Sequence, residues 1–386
     1  MAHAFRLGYC TNVHPGETVD AVEETLGSVT AEVKRQCSPD ASLGVGLWLA
    51  ADVARALAGD GARRAAFRAF LAEHEFAPFT LNAFPYGGFH EARVKERVFQ
   101  PSWADPARLR YTLDCADVLA ALLPEGETGS ISTVPLGMRA AGFTDGDRVA
   151  SVRALRVASD RLGEIEGETG RRIILAVEPE PRAELETIAE TAAFLDREVF
   201  EGRDDVARRT LGVCIDACHE AVLFQPPEAT VAACVNHGIS VGKVQVTSAL
   251  EIRRPAGDPA AVARLTTFDE GRYCHQVASR RSGEVVVDGD LESFLASRAR
   301  DPEVDVARVH FHVPVFAAPG GGLSTTRAEL ERLLAAVLAA ELTDQFEVET
   351  YTFGVVPDAE REALGAASLA GAIARELEWT RAALSS

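Results

Sequence analysis

Residues 213–219, with the sequence VCIDACH, end an apolar run in a carboxylate that an imidazole follows three residues later. Asp216 taken alone is best explained as a helix N-cap, and His219 taken alone as a buried structural histidine. However, Glu178, Gln245 and Glu349 also follow or interrupt apolar runs. An ionised carboxylate at a buried strand is costly unless it is paired or binds a metal. Helix capping does not predict this joint pattern, which indicates a divalent cation site.

Further polar and aromatic residues lie close to the same run ends. Glu180 follows Glu178 by two residues and competes with it for the role of site carboxylate. His310 and His312 alternate along one run, so we do not expect both of them to face inward. The segment AFPYGGFH (83–90) offers Phe84, Tyr86, Phe89 and His90 as a substrate wall, and its Gly87-Gly88 pair fits either a mobile lid or a packed Ω-loop. The predicted substrate-binding residues are Asn12, His14, Asn82, Tyr86, His90 and His312.

Nine short apolar runs alternate with longer amphipathic stretches, and they are the candidate strands: 5–12, 43–49, 78–84, 129–135, 173–180, 210–216, 241–248, 306–316 and 346–352. Repeated strand-then-helix units predict a parallel sheet with helices outside, and eight such units predict a closed (β/α)8 TIM barrel. One candidate strand must therefore lie outside the barrel. Residues 250–305 read as a β-hairpin insertion around a Ser-Arg-Arg-Ser-Gly turn, near the C-terminal mouth of a single domain spanning 1–386.

Composition limits the partners. The 386 residues carry 39 Lys and Arg against 58 Asp and Glu, a net charge of −19, with no basic stripe, which argues against nucleic acid. No apolar run is long enough to insert into a membrane, and the seven scattered Cys fit reduced thiols in the cytoplasm. We therefore expect a cytoplasmic protein with a small-molecule substrate, whose oligomeric state the sequence does not indicate.

The motifs LAVEPEP, CIDACH, KVQVTS and EVETYT, in this order, resemble the xylose isomerase-like TIM barrels, a superfamily of sugar isomerases, epimerases and endonuclease-IV-like enzymes. Within it, RLGYCTNVHPGET, LNAFPYGGFH, SISTVP, HFHVPVF and VETYTF resemble the EboE metabolite-traffic family over nearly the whole chain. The resemblance implies a divalent cation bound by Glu178, Asp216, Gln245 and Glu349. It also implies that His219 contacts the substrate or the metal.

The chain departs from the superfamily pattern at the seventh strand, where Gln245 stands in place of the usual His. Either Gln245 or His312 is therefore the fourth ligand. An all-oxygen set suits Mg2+ or Mn2+, whereas His312 or His219 would shift the preference toward Mn2+, Co2+ or Zn2+. Mn2+ is the favoured ion.

A pair of carboxylates on one cation indicates a proton-transfer reaction. Glu178 and Glu349 would flank a substrate with neighbouring hydroxyl and carbonyl groups, one removing a carbon-bound proton and the other, or His219, returning it. This is isomerisation or epimerisation of a sugar- or cyclitol-like metabolite through an enediolate. The main alternative is a non-catalytic small-metabolite carrier on the same fold. A metal-dependent hydrolase is disfavoured, because it would need further ligands for several zinc ions.

Overall fold

The near-continuous apolar runs form parallel strands that are covered on both faces. The computed structural model describes residues 5–203, 205–356, 361–362 and 368–385. The strands of the closed barrel are β1 (Arg6–Cys10), β2 (Leu43–Trp48), β3 (Phe76–Asn82), β4 (Thr128–Thr133), β5 (Arg172–Val177), β6 (Leu211–Asp216), β7 (Ser240–Val246) and β13 (Gln345–Val348). Their order around the barrel is β1-β13-β7-β6-β5-β4-β3-β2, all parallel. The predicted TIM barrel is confirmed.

Most helices connect successive barrel strands and cover the barrel, whereas two, within residues 259–266 and 291–297, pack in a separate hydrophobic cluster. The helices are α1 (Val19–Thr25), α2 (Ala31–Cys37), α3 (Ala51–Gly59), α4 (Gly61–Glu73), α5 (Pro106–Leu122), α6 (Asp145–Thr169), α7 (Ile188–Phe194), α8 (Asp205–Thr210), α9 (Ala217–Val222), α10 (Pro227–His237), α11 (Pro259–Thr266), α12 (Leu291–Ser297), α13 (Arg327–Ala339) and α14 (Leu369–Leu384). The largest hydrophobic cluster lies between these helices and the barrel strands. None of the helices in the described part of the chain has the length and apolar character needed to cross a bilayer.

A second sheet is inserted between the seventh and eighth barrel strands. Its strands are β8 (Ser248–Arg253), β9 (Val277–Arg281), β10 (Glu284–Asp288), β11 (Val304–Val313) and β12 (Leu323–Thr325). They pair antiparallel in the order β10-β9-β11-β8-β12 and carry their own hydrophobic cluster. The predicted hairpin is the β9–β10 pair, and the candidate strand outside the barrel is β11. The inserted sheet extends beyond the expected range of 250–305 at both ends.

A buried ion pair lies one layer below the C-terminal ends of the barrel strands. Lys243 on β7 and Glu347 on β13 are fully buried, and the Lys243 ammonium donates to Glu347 Oε2. Gly46 on β2 leaves room for this carboxylate, because a Cβ atom at that position would lie 1.4 Å from Glu347 Oε1. Side chains two residues further along these strands face the same interior. The paired charges therefore form the floor beneath Gln245 and Glu349.

Candidate metal centre and substrate cavity

Four polar side chains meet at the C-terminal mouth of the barrel. Glu178 directly follows β5, Asp216 ends β6, Gln245 lies near the end of β7 and Glu349 directly follows β13. Carboxylate oxygens of Glu178, Asp216 and Glu349 lie within 4.8 Å of one another, and Gln245 is aligned with Asp216 across the β6–β7 ladder. All four side chains are buried. The structure thus brings the three predicted carboxylates together and places Gln245 beside Asp216.

Several polar atoms of this group have no hydrogen-bond partner among the described residues: Glu178 Oε2, Asp216 Oδ2 and both side-chain polar atoms of Gln245. Asp216 Oδ1 accepts from the backbone N–H of His219 at 2.9 Å, so Asp216 is also the N-cap of α9. Capping therefore uses one carboxylate oxygen of Asp216 and leaves the other oxygen free to bind a cation. Buried polar atoms without partners cost free energy, and a divalent cation would satisfy these oxygens. The residues fit such an ion.

Burial and mutual repulsion shift the acidity of the carboxyl groups. Burial, with the Asp216 charge as the second cause, raises the pKa of Glu178 to about 8. Burial likewise raises the pKa of Glu180 to about 8 and that of Glu349 well above its ordinary value. In the absence of a cation Glu178 and Glu180 therefore hold protons at neutral pH. A bound cation would reverse the shift, because it favours the carboxylate form.

Two of the predicted substrate-binding residues hold Glu349 in place. Asn12 Nδ2 and Asn82 Nδ2 both donate to Glu349 Oε1, at 2.7 and 2.9 Å. The second carboxylate oxygen, Oε2, receives neither bond. Asn12 and Asn82 also line the cavity, so the same side chains can orient Glu349 and touch a bound molecule.

Three histidine side chains meet beside the carboxylates. The Nε2 atom of His310 lies 3.1 Å from Nε2 of His219 and 3.1 Å from Nε2 of His312. Asp216 Oδ2 lies 3.9 Å from the Nε2 atoms of both His219 and His312. Burial lowers the pKa of His219 and of His312 to about 4. The group is therefore neutral at physiological pH and offers nitrogen lone pairs.

The expectation that His310 and His312 cannot both face inward is wrong. Both lie on β11, and residues two apart on a strand point to the same face. Phe311 between them points the other way, into the hydrophobic cluster of the inserted sheet. The two imidazoles therefore reach the same place from one strand of the inserted sheet.

A cavity opens above the carboxylates, and its empty space of about 490 Å3 includes solvent at the open mouth. It is lined by Asn12, Asn82, Phe84, Pro85, Phe89, Val94, Lys95, Val98, Glu178, Glu180, His219, Tyr273, Cys274, His310, His312, Glu349 and Tyr351.

Three predicted substrate-binding residues lie away from this lining. His14 is buried against Tyr9, whose hydroxyl group lies 2.9 Å from His14 Nε2. His90 Nε2 donates to the backbone carbonyl of Asn12 at 2.8 Å, and Tyr86 packs behind the wall. Their role in substrate binding stays a prediction, since each would have to act through a neighbour.

The aromatic part of the wall comes from three separate segments. The Phe89 ring packs against Tyr273 and Tyr351, with centroids 5.2 and 5.3 Å apart. Sequence reasoning missed both tyrosines: Tyr351 follows Glu349 by two residues and could have been found, whereas Tyr273 belongs to the insertion, which has no periodic signal. Gly88 N–H donates to Glu17 Oε1 at 2.7 Å, so the segment 83–90 is anchored in this conformation.

No protein-family model matches the chain, and no curated protein matches it. Among solved structures, a xylose isomerase-like TIM barrel protein from Mycobacterium smegmatis in complex with magnesium is 12% identical, with a TM-score of 0.55 over 100% of this chain and 98% of that chain. A xylose isomerase domain protein from Alicyclobacillus acidocaldarius is 13% identical, with a TM-score of 0.48 over 98% and 100%. The apo form of the 3-keto-D-glucoside 4-epimerase YcjR from E. coli is 13% identical, with a TM-score of 0.46 over 98% and 99%.

At these identities the likeness shows the fold alone, and it is that of a xylose isomerase-like TIM barrel. The similarity extends over essentially the full length of both chains in the M. smegmatis comparison.

Proposed function

We propose that this protein is a metal-dependent isomerase or epimerase of a small polyhydroxylated metabolite, with a role in metabolite processing or traffic like that of the EboE family. One observation carries the proposal. Buried polar atoms of Glu178, Asp216 and Gln245 have no hydrogen-bond partner among the described residues, and the carboxylates of Glu178 and Asp216 lie beside Glu349 at the base of an open cavity. Glu178 and Glu349 line that cavity directly.

Glu178, Asp216, Gln245 and Glu349 would hold the divalent cation, and their oxygen donors favour Mn2+ or Mg2+, of which we propose Mn2+. When bound, the cation supplies a Lewis acid that stabilises negative charge on a substrate oxygen. The protein would fix the position of this cation, because three of the proposed ligands lie at or directly after the ends of parallel strands in a closed barrel.

The proton chemistry belongs to the two glutamates. Glu349 Oε1 is occupied by the amides of Asn12 and Asn82, so Oε2 is the oxygen that accepts the proton from the carbon next to the carbonyl. Glu178 Oε2 is the second proton carrier, since it has no partner among the described residues. Abstraction gives an enediolate, and return of a proton at the neighbouring carbon or on the opposite face completes isomerisation or epimerisation. His219 beside the same cavity is the alternative proton donor.

The cavity wall favours a polyhydroxylated substrate. Asn12 and Asn82 present amide groups, while the Phe89, Tyr273 and Tyr351 rings present apolar faces suited to the C–H face of a sugar or cyclitol ring. We also propose that the barrel and the inserted sheet form one domain, since strand β11 of that sheet carries two histidines into the barrel mouth. The seven free Cys side chains support the proposed cytoplasmic location, and the net charge of −19 supports the proposed lack of nucleic-acid partners.

Proton exchange tests the reaction directly. In D2O with Mn2+ and a panel of aldoses, ketoses and cyclitol-type ketones, the wild-type protein is expected to incorporate deuterium next to the carbonyl of at least one compound. Exchange is visible by NMR or mass spectrometry even where net conversion is unfavourable. If a compound binds tightly but its carbon-bound proton never exchanges, the isomerase proposal fails and the non-catalytic carrier takes its place.

Added metal is expected to raise the melting temperature of metal-stripped protein. The ion binds only the folded state, so stabilisation grows as RT ln(1 + [M]/Kd), about 2.7 kcal/mol at a hundredfold excess over Kd. Differential scanning fluorimetry over a Mn2+ series measures the effect, and the double variant Glu178→Gln/Gln245→Ala serves as the control that responds weakly. A melting curve that stays unchanged over the whole series would contradict the metal centre.

The histidine group favours a second candidate, a metal-dependent hydrolase. Sequence reasoning disfavoured this class because it requires further metal ligands, and the structure supplies His310 and His312 from outside the barrel beside His219. Release of phosphate or alcohol from a panel of small esters in the presence of Zn2+, without deuterium incorporation into ketoses, would favour it.

A further inference from the structure

The hydrogen bonds of the three histidines fix where their protons lie. His219 Nδ1 lies 2.8 Å from the backbone carbonyl of Pro179, and His312 Nδ1 lies 2.9 Å from the backbone carbonyl of Glu349. A carbonyl oxygen only accepts, so both Nδ1 atoms donate. In the neutral ring this leaves Nε2 without a proton.

The same holds for His310. Its Nδ1 atom lies 2.6 Å from Gln276 Oε1, and the amide group of Gln276 is oriented by donating from Nε2 to Glu180 Oε1 at 2.9 Å and to the Pro181 carbonyl at 3.2 Å. Gln276 Oε1 is therefore the acceptor and His310 Nδ1 the donor. The three imidazoles thus turn three unprotonated Nε2 atoms toward one another.

The contacts between these Nε2 atoms are not hydrogen bonds, because no proton lies between neutral rings in these tautomers. Lone pairs facing each other at 3.1 Å repel unless something positive lies between them. Bonds of about 2.0–2.1 Å in a tetrahedral zinc site place neighbouring donors roughly 3.3 Å apart. The 3.1 Å separations of His310 Nε2 from the other two Nε2 atoms are close to that spacing. Asp216 Oδ2 lies 3.9 Å from Nε2 of His219 and of His312, so these two contacts must shorten by roughly 0.6 Å to reach it.

We propose that His219, His310, His312 and Asp216 form a second cation centre, separate from the one that Glu178, Asp216, Gln245 and Glu349 form. Asp216 is the shared residue, since its Oδ2 atom lies between the two groups and has no hydrogen-bond partner among the described residues. Three imidazole nitrogens select Zn2+ or Co2+, whereas the oxygen-rich centre selects Mn2+ or Mg2+. The choice between Gln245 and His312 as fourth ligand then disappears, because each belongs to its own centre.

This second centre changes the assignment of His219. Its Nε2 atom is a cation ligand, so return of the substrate proton falls to the Glu178 and Glu349 pair. Each Nδ1–H bond to a carbonyl oxygen holds its ring in the ligating orientation, as is usual for metal-bound histidine. Gln276 is the positioning residue for His310 and links the inserted strand β9 to the site.

Cation counting tests the proposal without any substrate. Metal-stripped wild-type protein is expected to bind two equivalents of Co2+, one of which gives the intense visible absorption of a tetrahedral nitrogen-rich site. In His310→Gln/His312→Gln that absorption should vanish and one equivalent should remain by isothermal titration calorimetry. In Glu178→Gln/Gln245→Ala the visible band should persist while the other equivalent weakens.

His237→Ala is the matched histidine control. His237 lies at the end of helix α10 and pairs with Asp196, so its removal should leave both bound equivalents of Co2+ intact. Circular dichroism identifies variants that fail to fold, and His219→Gln provides an independent removal of one ligand. A wild-type protein that binds a single equivalent, or a folded His310→Gln/His312→Gln variant that retains the tetrahedral band, overturns the proposal. Two bound cations without deuterium exchange would contradict the isomerase alone, so the two failures are distinguishable.

Discussion

In Glu349→Gln, deuterium exchange next to the substrate carbonyl is expected to fall by about a hundredfold or more, the scale of losing a general base. The variant is close to isosteric, and its amide oxygen can keep both bonds that Glu349 Oε1 accepts, from Asn12 at 2.7 Å and from Asn82 at 2.9 Å. The amide nitrogen then occupies the position of Oε2, and an amide nitrogen cannot accept the substrate proton. The shape of the cavity is retained while the base is lost, and exchange rates at saturating substrate measure the difference.

Glu228→Gln is the matched control. Glu228 is exposed and pairs with Arg332 at 2.7 Å, so its neutralisation should leave exchange at the wild-type rate. Because Glu349 is also a proposed cation ligand, exchange is compared at Mn2+ concentrations that saturate each protein. Exchange that survives in fully metal-loaded Glu349→Gln would assign the base to another residue and would contradict the role of Glu349.

The barrel and the convergence of polar residues at its mouth could be predicted because both follow from simple periodic signals. Strands buried on both faces read as continuous apolar runs, and a polar residue at the end of such a run stands out against them. Closure of eight parallel strands then brings all these ends to one mouth, so that Glu178 and Glu349, 171 positions apart in sequence, need no further information to meet. The N-cap and ligand interpretations of Asp216 were not exclusive, since they use different oxygens.

The shared direction of His310 and His312 could be predicted, because residues two apart on a strand point to the same face. The sequence does not specify that β11 of the inserted sheet turns this face toward His219 at the barrel mouth. No periodic signal relates the inserted strand to the barrel. Similarly, Tyr273 reaches the cavity from a connection without periodic pattern, and its contact with Phe89 spans 184 positions of the chain.

Seven titratable groups buried at one mouth, four carboxyl groups and three imidazoles, also constrain how stability responds to pH. A carboxyl group whose folded pKa is raised stabilises the fold below its ordinary pKa and loses that contribution as pH rises toward the folded value. A histidine whose folded pKa is lowered contributes in the opposite direction, between its folded value of about 4 and its ordinary value of 6.5. The two effects oppose each other below pH 6.5. Above it, the carboxyl groups alone remain.

Metal-stripped protein is therefore expected to lose stability between pH 6.5 and pH 8. Glu178 and Glu180 both have pKa values raised to about 8, so in this window the folded state holds a proton on each that the unfolded state has released. Each fully protonated group changes the free energy of unfolding by about 1.4 kcal/mol per pH unit, and the slope falls to half of that at the folded pKa. The two groups together give a loss of roughly 3 kcal/mol over the window.

Urea unfolding at several pH values, with and without Mn2+, measures this slope and its reversal. A cation binds the deprotonated carboxylates, so the stabilisation it provides should grow as pH rises and should offset the loss. Glu178→Gln removes one titrating group and should lower the slope of the metal-free protein by about 1.4 kcal/mol per pH unit, whereas Glu228→Gln should leave it unchanged. Other buried acids, such as Glu220 and Glu376 with pKa values raised to about 7, are present in all three proteins and cancel in the comparison. A metal-free stability that stays level or rises from pH 6.5 to pH 8 would show that these carboxyl groups are ionised without a cation, and the structural reason for placing one among them would be lost.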